Sequence, residues 1–236
     1  MYNNKHFTAI VLSAGKGSRM HSDIPKQYMK LNGKEVIYYS LNVFQKSQVD
    51  DIILVSGEDD IEYCRRDIVE KYVFNKVINV VAGGSERYWS VRNGLDACKE
   101  TDYVLIHDGA RPCIDNNMIM RLMDEVILHD ACTVGVPAKD TIKVVDEDNY
   151  GIGTPDRKTL WQVQTPQGFL YTDIKNAYEK MENDSESNIT DDTMIVERYL
   201  GKKSKLIFGD YKNVKITTPE DIMVVENFLK NGELKK

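Results

Sequence analysis

The feature that most constrains this chain is a regular alternation between short apolar runs and longer segments whose apolar positions recur at helical spacing. Residues 7–12 read FTAIVL and residues 51–55 read DIILV, the length and β-branched content of buried strands. Between them Val36, Ile37, Leu41 and Phe44 fall on one helical stripe. The rhythm continues with a polar helix near 60–72, a strand at 76–81, a helix at 87–98, a strand at 103–107, a helix at 116–128 and a strand at 133–136. Strands joined through crossover helices lie parallel, and the helices cover both faces. The expectation is an α/β fold with a Rossmann-like, mostly parallel sheet.

After Pro137 the pattern changes. Strand-like pieces at 141–145 and 160–164 flank an acidic, glycine-ended turn at 146–151, which predicts an antiparallel β-arm protruding at about 138–160. Arms of this kind often dimerise. A helix at 171–182, a polar loop at 183–188, a helix at 192–200 and short strands at 205–208 and 214–216 follow. Thr218-Pro219-Glu220-Asp221 then has the form of a helix start. With 42% hydrophobic residues in 236, the chain can close one sizeable core, so 1–236 is expected to be a single domain carrying the arm.

Thirty-seven acids against 31 bases leave a net charge of −6, which argues against a nucleic-acid partner held by a basic surface. The apolar runs fall far short of the ~20 residues that span a bilayer, so no membrane partner is expected. The opening residues show no signal-peptide pattern, which predicts a cytoplasmic location. Cys64, Cys98, Cys113 and Cys132 include no Cys-x-x-Cys pair; they are expected to be reduced packing residues.

Ligands of open parallel sheets bind beyond the carboxyl ends of the strands, so the loops there should carry the chemistry. The first loop holds Ala14, Gly15, Lys16, Gly17 and Arg19, with Lys26 a little further on. Its glycines free backbone N–H groups to face a phosphate and its cations add charge, which makes an anion-binding loop. Ile10 and Gly17 stand where a Walker A loop needs Gly and Ser or Thr, and Met20 stands where a dinucleotide fingerprint needs its third glycine. Gly83-Gly84-Ser85 precedes the helix at 87–98, with Ser85 a candidate N-cap. His107 is expected to be structural. Asp108 ends a strand, where it can hold a metal or a ribose hydroxyl or serve as a turn residue paired with Arg111.

Seven segments, LSAGKGSRM with PKQY, GGSERYWSV, HDGARP, PAKDTIK, TPQGF, ITDD and NVKITTPED, run in order along nearly the whole chain. In these the chain resembles the 2-C-methyl-D-erythritol 4-phosphate cytidylyltransferases. The resemblance implies a homodimer that joins CTP to a polyol phosphate, uses Mg²⁺ and releases pyrophosphate. It implies that Arg19 and Lys26 grip the triphosphate, with Lys16 adding charge. Cytosine would be read by backbone near Ala14 and Gly84 with the Ser90 hydroxyl. Ser85 stands where many members carry Asp. The polyol phosphate would meet Asp108, Arg111 and Lys215 from one subunit, with Thr165 and Thr190 in further motifs. Thr141 and Arg157 on the arm would serve the partner's site. A ribitol 5-phosphate cytidylyltransferase is the alternative on the same framework. HDGARP and the Arg87-x-x-Ser90-Val91 spacing look more like the erythritol enzymes. A nucleotide-binding module without catalysis would be free to lose Arg19 or Lys26, and both are present.

Overall fold

The structure is a computed structural model that describes residues 1–233 apart from Lys16, Ser18, Arg19, His21, Asp23 and 183–187. Its centre is a seven-stranded sheet made of β1 (Phe7–Ser13), β4 (Asp51–Ser56), β5 (Val77–Ala82), β6 (Tyr103–Asp108), β7 (Ala131–Pro137), β10 (Trp161–Leu170) and β11 (Lys205–Phe208), in the order β11-β7-β10-β6-β1-β4-β5. β10 alone runs antiparallel, between β6 and β7; the other neighbours pair in parallel. The remaining strands are two small hairpins, β2 (Lys30–Leu31) with β3 (Lys34–Glu35) and β8 (Val144–Val145) with β9 (Gly151–Gly153).

Strand alternation divides the core. Phe7, Ala9 and Val11 face α1 (Val36–Lys46) and α4 (Asn116–His129), where they meet Leu41, Phe44 and Leu122. Ile10 points the other way, toward α3 (Arg87–Asp96), α5 (Tyr171–Met181) and α6 (Asp192–Leu200), among Val91, Ile174 and Ile195. Side chains of successive residues leave opposite faces of a strand, so one run serves both layers. Every residue of β6 is buried. A third cluster, Met20, Leu31, Val36, Ile216 and Val225, seats the β2–β3 hairpin against α7 (Pro219–Glu233).

Several expectations are corrected. The run at 160–164 is not part of the arm; it opens β10, which continues to Leu170 in the central sheet. Pro166 sits where the register with β7 shifts, between Val163 and Gln167, so its missing N–H interrupts an already irregular ladder. What projects from the sheet is the segment of about 138–160 with the β8–β9 hairpin. Residues 214–216 form no strand, although the Ile216 N–H donates to the Ala110 carbonyl at 2.9 Å. The predicted helix at 60–72 begins as a 3₁₀ turn, passes through α2 (Ile61–Tyr63) and becomes a π-helix at Cys64–Glu70. Ser85 does not cap α3: the N-cap is Glu86, and it makes no side-chain capping bond.

Candidate active site

The chain passes from β1 outward to β4 and β5, then returns to place β6 on the other side of β1. That reversal parts the loops at the carboxyl ends of β1 and β6 and opens a crevice, where ligands of such sheets bind. Here it holds a two-lobed cleft. Ala14, Gly15, Lys26, Gly84, Ser85 and Ser90 line one lobe of about 560 Å³. Arg111, Gln164, Thr165, Gln167, Thr190 and Asp191 line part of a second, also about 560 Å³. Arg87, Asp108 and Lys215 line both and form the wall between them.

The first lobe depends on close backbone approach. A Cβ on Gly83 would lie 2.3 Å from Ala14 Cβ and 2.8 Å from Ser90 Oγ, and one on Gly84 would lie 2.3 Å from Trp89 Cβ. Only glycine lets this turn fold onto α3. The Ser90 hydroxyl accepts from Gly84 N–H at 3.0 Å and donates to the Glu86 carbonyl at 3.2 Å. One lone pair remains, which suits an amino donor such as that of cytosine. On the facing side, Gly17 has φ +62, and its Cβ position lies 3.3 Å from Lys26 Cγ, so the lysine stem rests on the glycine turn. Gln27, 3% exposed, donates through Nε2 to Ser13 O at 2.6 Å and Gly15 O at 3.1 Å. It fixes the base of the loop directly beside Lys26.

The dividing wall is a charge network. Asp108 Oδ1 accepts from Arg87 Nε at 3.0 Å, and its Oδ2 lies 2.7 Å from Lys215 Nζ. Burial pushes this carboxyl's pKa up, but Arg87, Lys215 and Arg111 outweigh that and hold it far below the usual carboxylate range. Its N–H donates to Thr165 Oγ1 at 3.0 Å. Burial lowers the neighbouring His107 to about 3, so the ring is neutral. Its Nε2 lies 3.2 Å from the Arg111 carbonyl and must donate there, which leaves Nδ1 to accept from the Thr165 hydroxyl at 3.1 Å. His107 is thus structural, and it orients Thr165. In the second lobe Arg111 donates from Nη1 to Asn213 O at 2.8 Å. Its buried Nε makes no hydrogen bond among the described residues and lies 4.0 Å from Asp108 Oδ2, so Arg111 adds a third cation beside that carboxylate.

Among the candidates taken from the sequence, the structure therefore gathers Ala14, Gly15, Lys26, Gly84, Ser85, Ser90, Asp108, Arg111, Thr165, Thr190 and Lys215 at one cleft. Thr141 and Arg157 line neither lobe. They stand exposed on the arm, where Arg157 Nη1 donates to Lys139 O at 2.6 Å. Lys16 and Arg19 lie outside the described residues. Gln27, Arg87 and Asp192 went unassigned although each sits inside a quoted motif. Their role lies in partners distant in sequence, such as the 105-residue separation between Arg87 and Asp192.

Among the described residues no three His, Cys, Asp or Glu side chains converge as a metal site, and both oxygens of Asp108 already face cations. The donor set does not form a protein cage for a divalent ion. A magnesium ion here would be held by a ligand's phosphates.

A family model described as 2-C-methyl-D-erythritol 4-phosphate cytidylyltransferase (IspD) matches residues 7–231. The chain is 54% identical to the protein of that name from Lachnospira eligens over 94% of this chain and 99% of that protein. It is 49% identical to the one from Lachnoclostridium phytofermentans over 96% and 97%. Its fold is similar to the crystal structure of 4-diphosphocytidyl-2C-methyl-D-erythritol synthase from Anaerococcus prevotii, with TM-score 0.84, 33% identity and 96% of each chain covered.

Proposed function

The chain belongs to the 2-C-methyl-D-erythritol 4-phosphate cytidylyltransferase family, and from that premise we propose how its cleft divides the work. The enzyme is a CTP-dependent nucleotidyltransferase. It transfers the cytidylyl group of CTP to 2-C-methyl-D-erythritol 4-phosphate, giving 4-diphosphocytidyl-2-C-methyl-D-erythritol and pyrophosphate in isoprenoid biosynthesis. The relatives carry the erythritol name, which removes ribitol 5-phosphate as the acceptor.

In our assignment the glycine-lined lobe takes the nucleotide. Backbone at Ala14 and Gly84 with the Ser90 hydroxyl selects cytosine, Gly15 lets the phosphates approach, and Ser85 borders the ribose. Lys26, with Lys16 and Arg19 of the same loop, neutralises the triphosphate. The second lobe takes the polyol phosphate, held by Arg111, Thr165, Thr190 and Lys215. A phosphate oxygen of the acceptor then attacks the α-phosphorus in line, the bond to the bridging oxygen breaks, and pyrophosphate leaves. No covalent enzyme intermediate is needed, so the protein's contribution is alignment and charge stabilisation. Magnesium, carried by the phosphates of CTP, would offset charge on them when bound.

The single observation that carries this assignment is the shared wall of Arg87, Asp108 and Lys215, which sets two polar lobes side by side. We further assign a homodimer in which Thr141 and Arg157 complete the partner's acceptor lobe. Its support is that both residues lie away from their own cleft, on an arm that exposes Ile142, Val144, Val145 and Ile152. Among the described residues no helix is long and apolar enough to cross a membrane. We place the enzyme in the cytoplasm, in keeping with four free cysteines. The test is pyrophosphate release from CTP with 2-C-methyl-D-erythritol 4-phosphate, ribitol 5-phosphate or no acceptor. Release with the first alone is expected; none with the first refutes the assignment.

A further inference from the structure

Arg87 stands in the first turn of α3 and uses three of its N–H groups on two acids from different elements. Nε donates to Asp108 Oδ1 at 3.0 Å, while Nη1 and Nη2 fork onto Asp192 Oδ1 and Oδ2 at 3.0 and 2.9 Å. Asp192 is itself immobilised. It is fully buried, its Oδ1 accepts from Tyr178 OH at 2.7 Å, and its N–H donates to Gln167 Oε1 at 3.0 Å. It is also the first residue of α6, capped by Asp191, whose Oδ1 accepts from Met194 N–H. The guanidinium therefore links the end of β6 to the start of α6, and the second lobe lies along that link.

Lys215, the other close partner of Asp108, is built differently. Its side chain is 37% exposed, it lies outside any helix or strand, and it lines both lobes. An incoming phosphate would compete with Asp108 for that ammonium. Asp108 would then face two anionic guests with one cation withdrawn, and a carboxylate so placed is driven to rotate unless something fixed holds it. Arg87 cannot follow a ligand, because its fork is locked on a buried acid. A bidentate guanidinium suits such a bridge, and a single ammonium cannot span it.

We propose that Arg87 is a positioning residue that holds Asp108 between the two lobes when Lys215 turns to substrate, and that Asp192 anchors it for that task. The inference rests on the assignment of the cleft given above. The groups facing the guanidinium are Asp108 from β6, Asp192 from α6 and Tyr178 from α5. Those facing Asp108 are Arg87, Arg111 and Lys215, with the Thr165 hydroxyl on its N–H.

The test uses the full chain with Arg87→Lys, Asp192→Asn and the double variant, assayed with CTP and 2-C-methyl-D-erythritol 4-phosphate. Arg87→Lys keeps the charge but not the bridge, so kcat is expected to fall about tenfold or more, while the KM for CTP stays within about twofold because the base contacts lie elsewhere. Asp192→Asn falls in the same direction, and the double variant is no slower than Arg87→Lys, since both changes break one link. Wild-type kcat in Arg87→Lys, or losses that multiply in the double variant, overturns the inference. If Arg87→Lys loses its cooperative melting transition, Asp192→Asn decides alone, because asparagine can still accept from Tyr178; near-wild-type kcat there is refuting. An inactive wild-type protein sinks the cleft assignment, whereas an active wild type beside fully active variants sinks only the role of Arg87.

Discussion

Replacing Gln27 with glutamate exchanges one NH₂ group for an oxygen at a point where both neighbours are carbonyl oxygens. In the native loop Nε2 donates to Ser13 O and Gly15 O, and the residue is 3% exposed. Two lost neutral bonds are worth about 1 kcal/mol each, and a buried acceptor forced against acceptors costs about 1–3 kcal/mol more. The total is about 4 kcal/mol. β1 remains paired on both sides, with β4 and with β6, so the loop gives way before the sheet does. We expect most of the cost to appear as misalignment of Lys26: kcat/KM falls about 10²-fold or more, while the melting temperature shifts by only a few degrees.

The new carboxyl supplies an internal check. Burial beside carbonyl oxygens raises its pKa, and once protonated it regains one O–H donor for the Ser13 carbonyl. Activity of Gln27→Glu should therefore recover in part as pH falls through that raised value, whereas Asp108, held far below the usual carboxylate range, stays ionised across the assay window and contributes no change of its own. Gln27→Leu has no such donor at any pH and should show no recovery. The assay is pyrophosphate release from about pH 8 down to about pH 5, each variant normalised to wild type. Wild-type kcat/KM in Gln27→Glu at neutral pH, or parallel profiles for the two variants, refutes the reasoning.

Three further outcomes follow from other parts of the molecule. Glu35, 1% exposed, meets Lys30, Lys71 and Tyr72; burial pushes its carboxyl up, but these donors bring it down to about 2. After a discount for the exposed lysines this is worth about 2 kcal/mol, so Glu35→Gln should lower the melting temperature by about 4–8 °C at neutral pH. That stability is present above the ordinary carboxylate pKa of about 4.3 and lost as pH falls toward about 2; a gap that stays constant on acidification contradicts it. For the arm, inactive Arg157→Ala and inactive Lys26→Ala proteins mixed under subunit exchange should recover about one quarter of wild-type activity, since half the dimers are mixed and each has one intact site. Background activity despite proven exchange rules out the shared site. Chelation of magnesium should abolish turnover yet leave the melting curve unchanged, because among the described residues no carboxylate cluster depends on an ion for its folding; a fall in melting temperature would point to a structural metal.

Strands buried on both faces announce themselves as apolar runs, and β1, β4 and β6 were legible for that reason. β10 was not. Gln162, Gln164 and Gln167 break its hydrophobic pattern, and Pro166 and Gly168 look like punctuation. Yet Gln164 and Gln167 line the second lobe, and Pro166 falls at the register break. Demands of the site replaced the residues by which a strand is recognised, as expected where function overrides local preference. Helix α3 shows the same from the other side: it was read with Ser85 as its cap, whereas the hydroxyl that closes the turn belongs to Ser90, inside the helix.

The loops of the cleft were legible because glycine and cation spacing carries a chemical meaning by itself. The polar groups behind them were not, because an isolated Asp192, Gln167 or Asn213 reads as an ordinary surface residue. All three are fully enclosed, as are His107 and Thr133. Burying such groups is costly unless each is bonded, and here they bond largely to one another and to site residues: Gln167 to Thr133, Asp191 and Asp192, Asn213 to Gln164 and Thr165 O, and His107 to Thr165. They also lie on one side of the sheet's switch point, behind the second lobe. A polar core concentrated there does what an apolar one does not: it sets directions as well as distances. The acceptor's phosphate must arrive in line with a phosphorus held in the neighbouring lobe, and directional bonds behind Arg87, Asp108 and Thr165 are what this chain provides for that alignment.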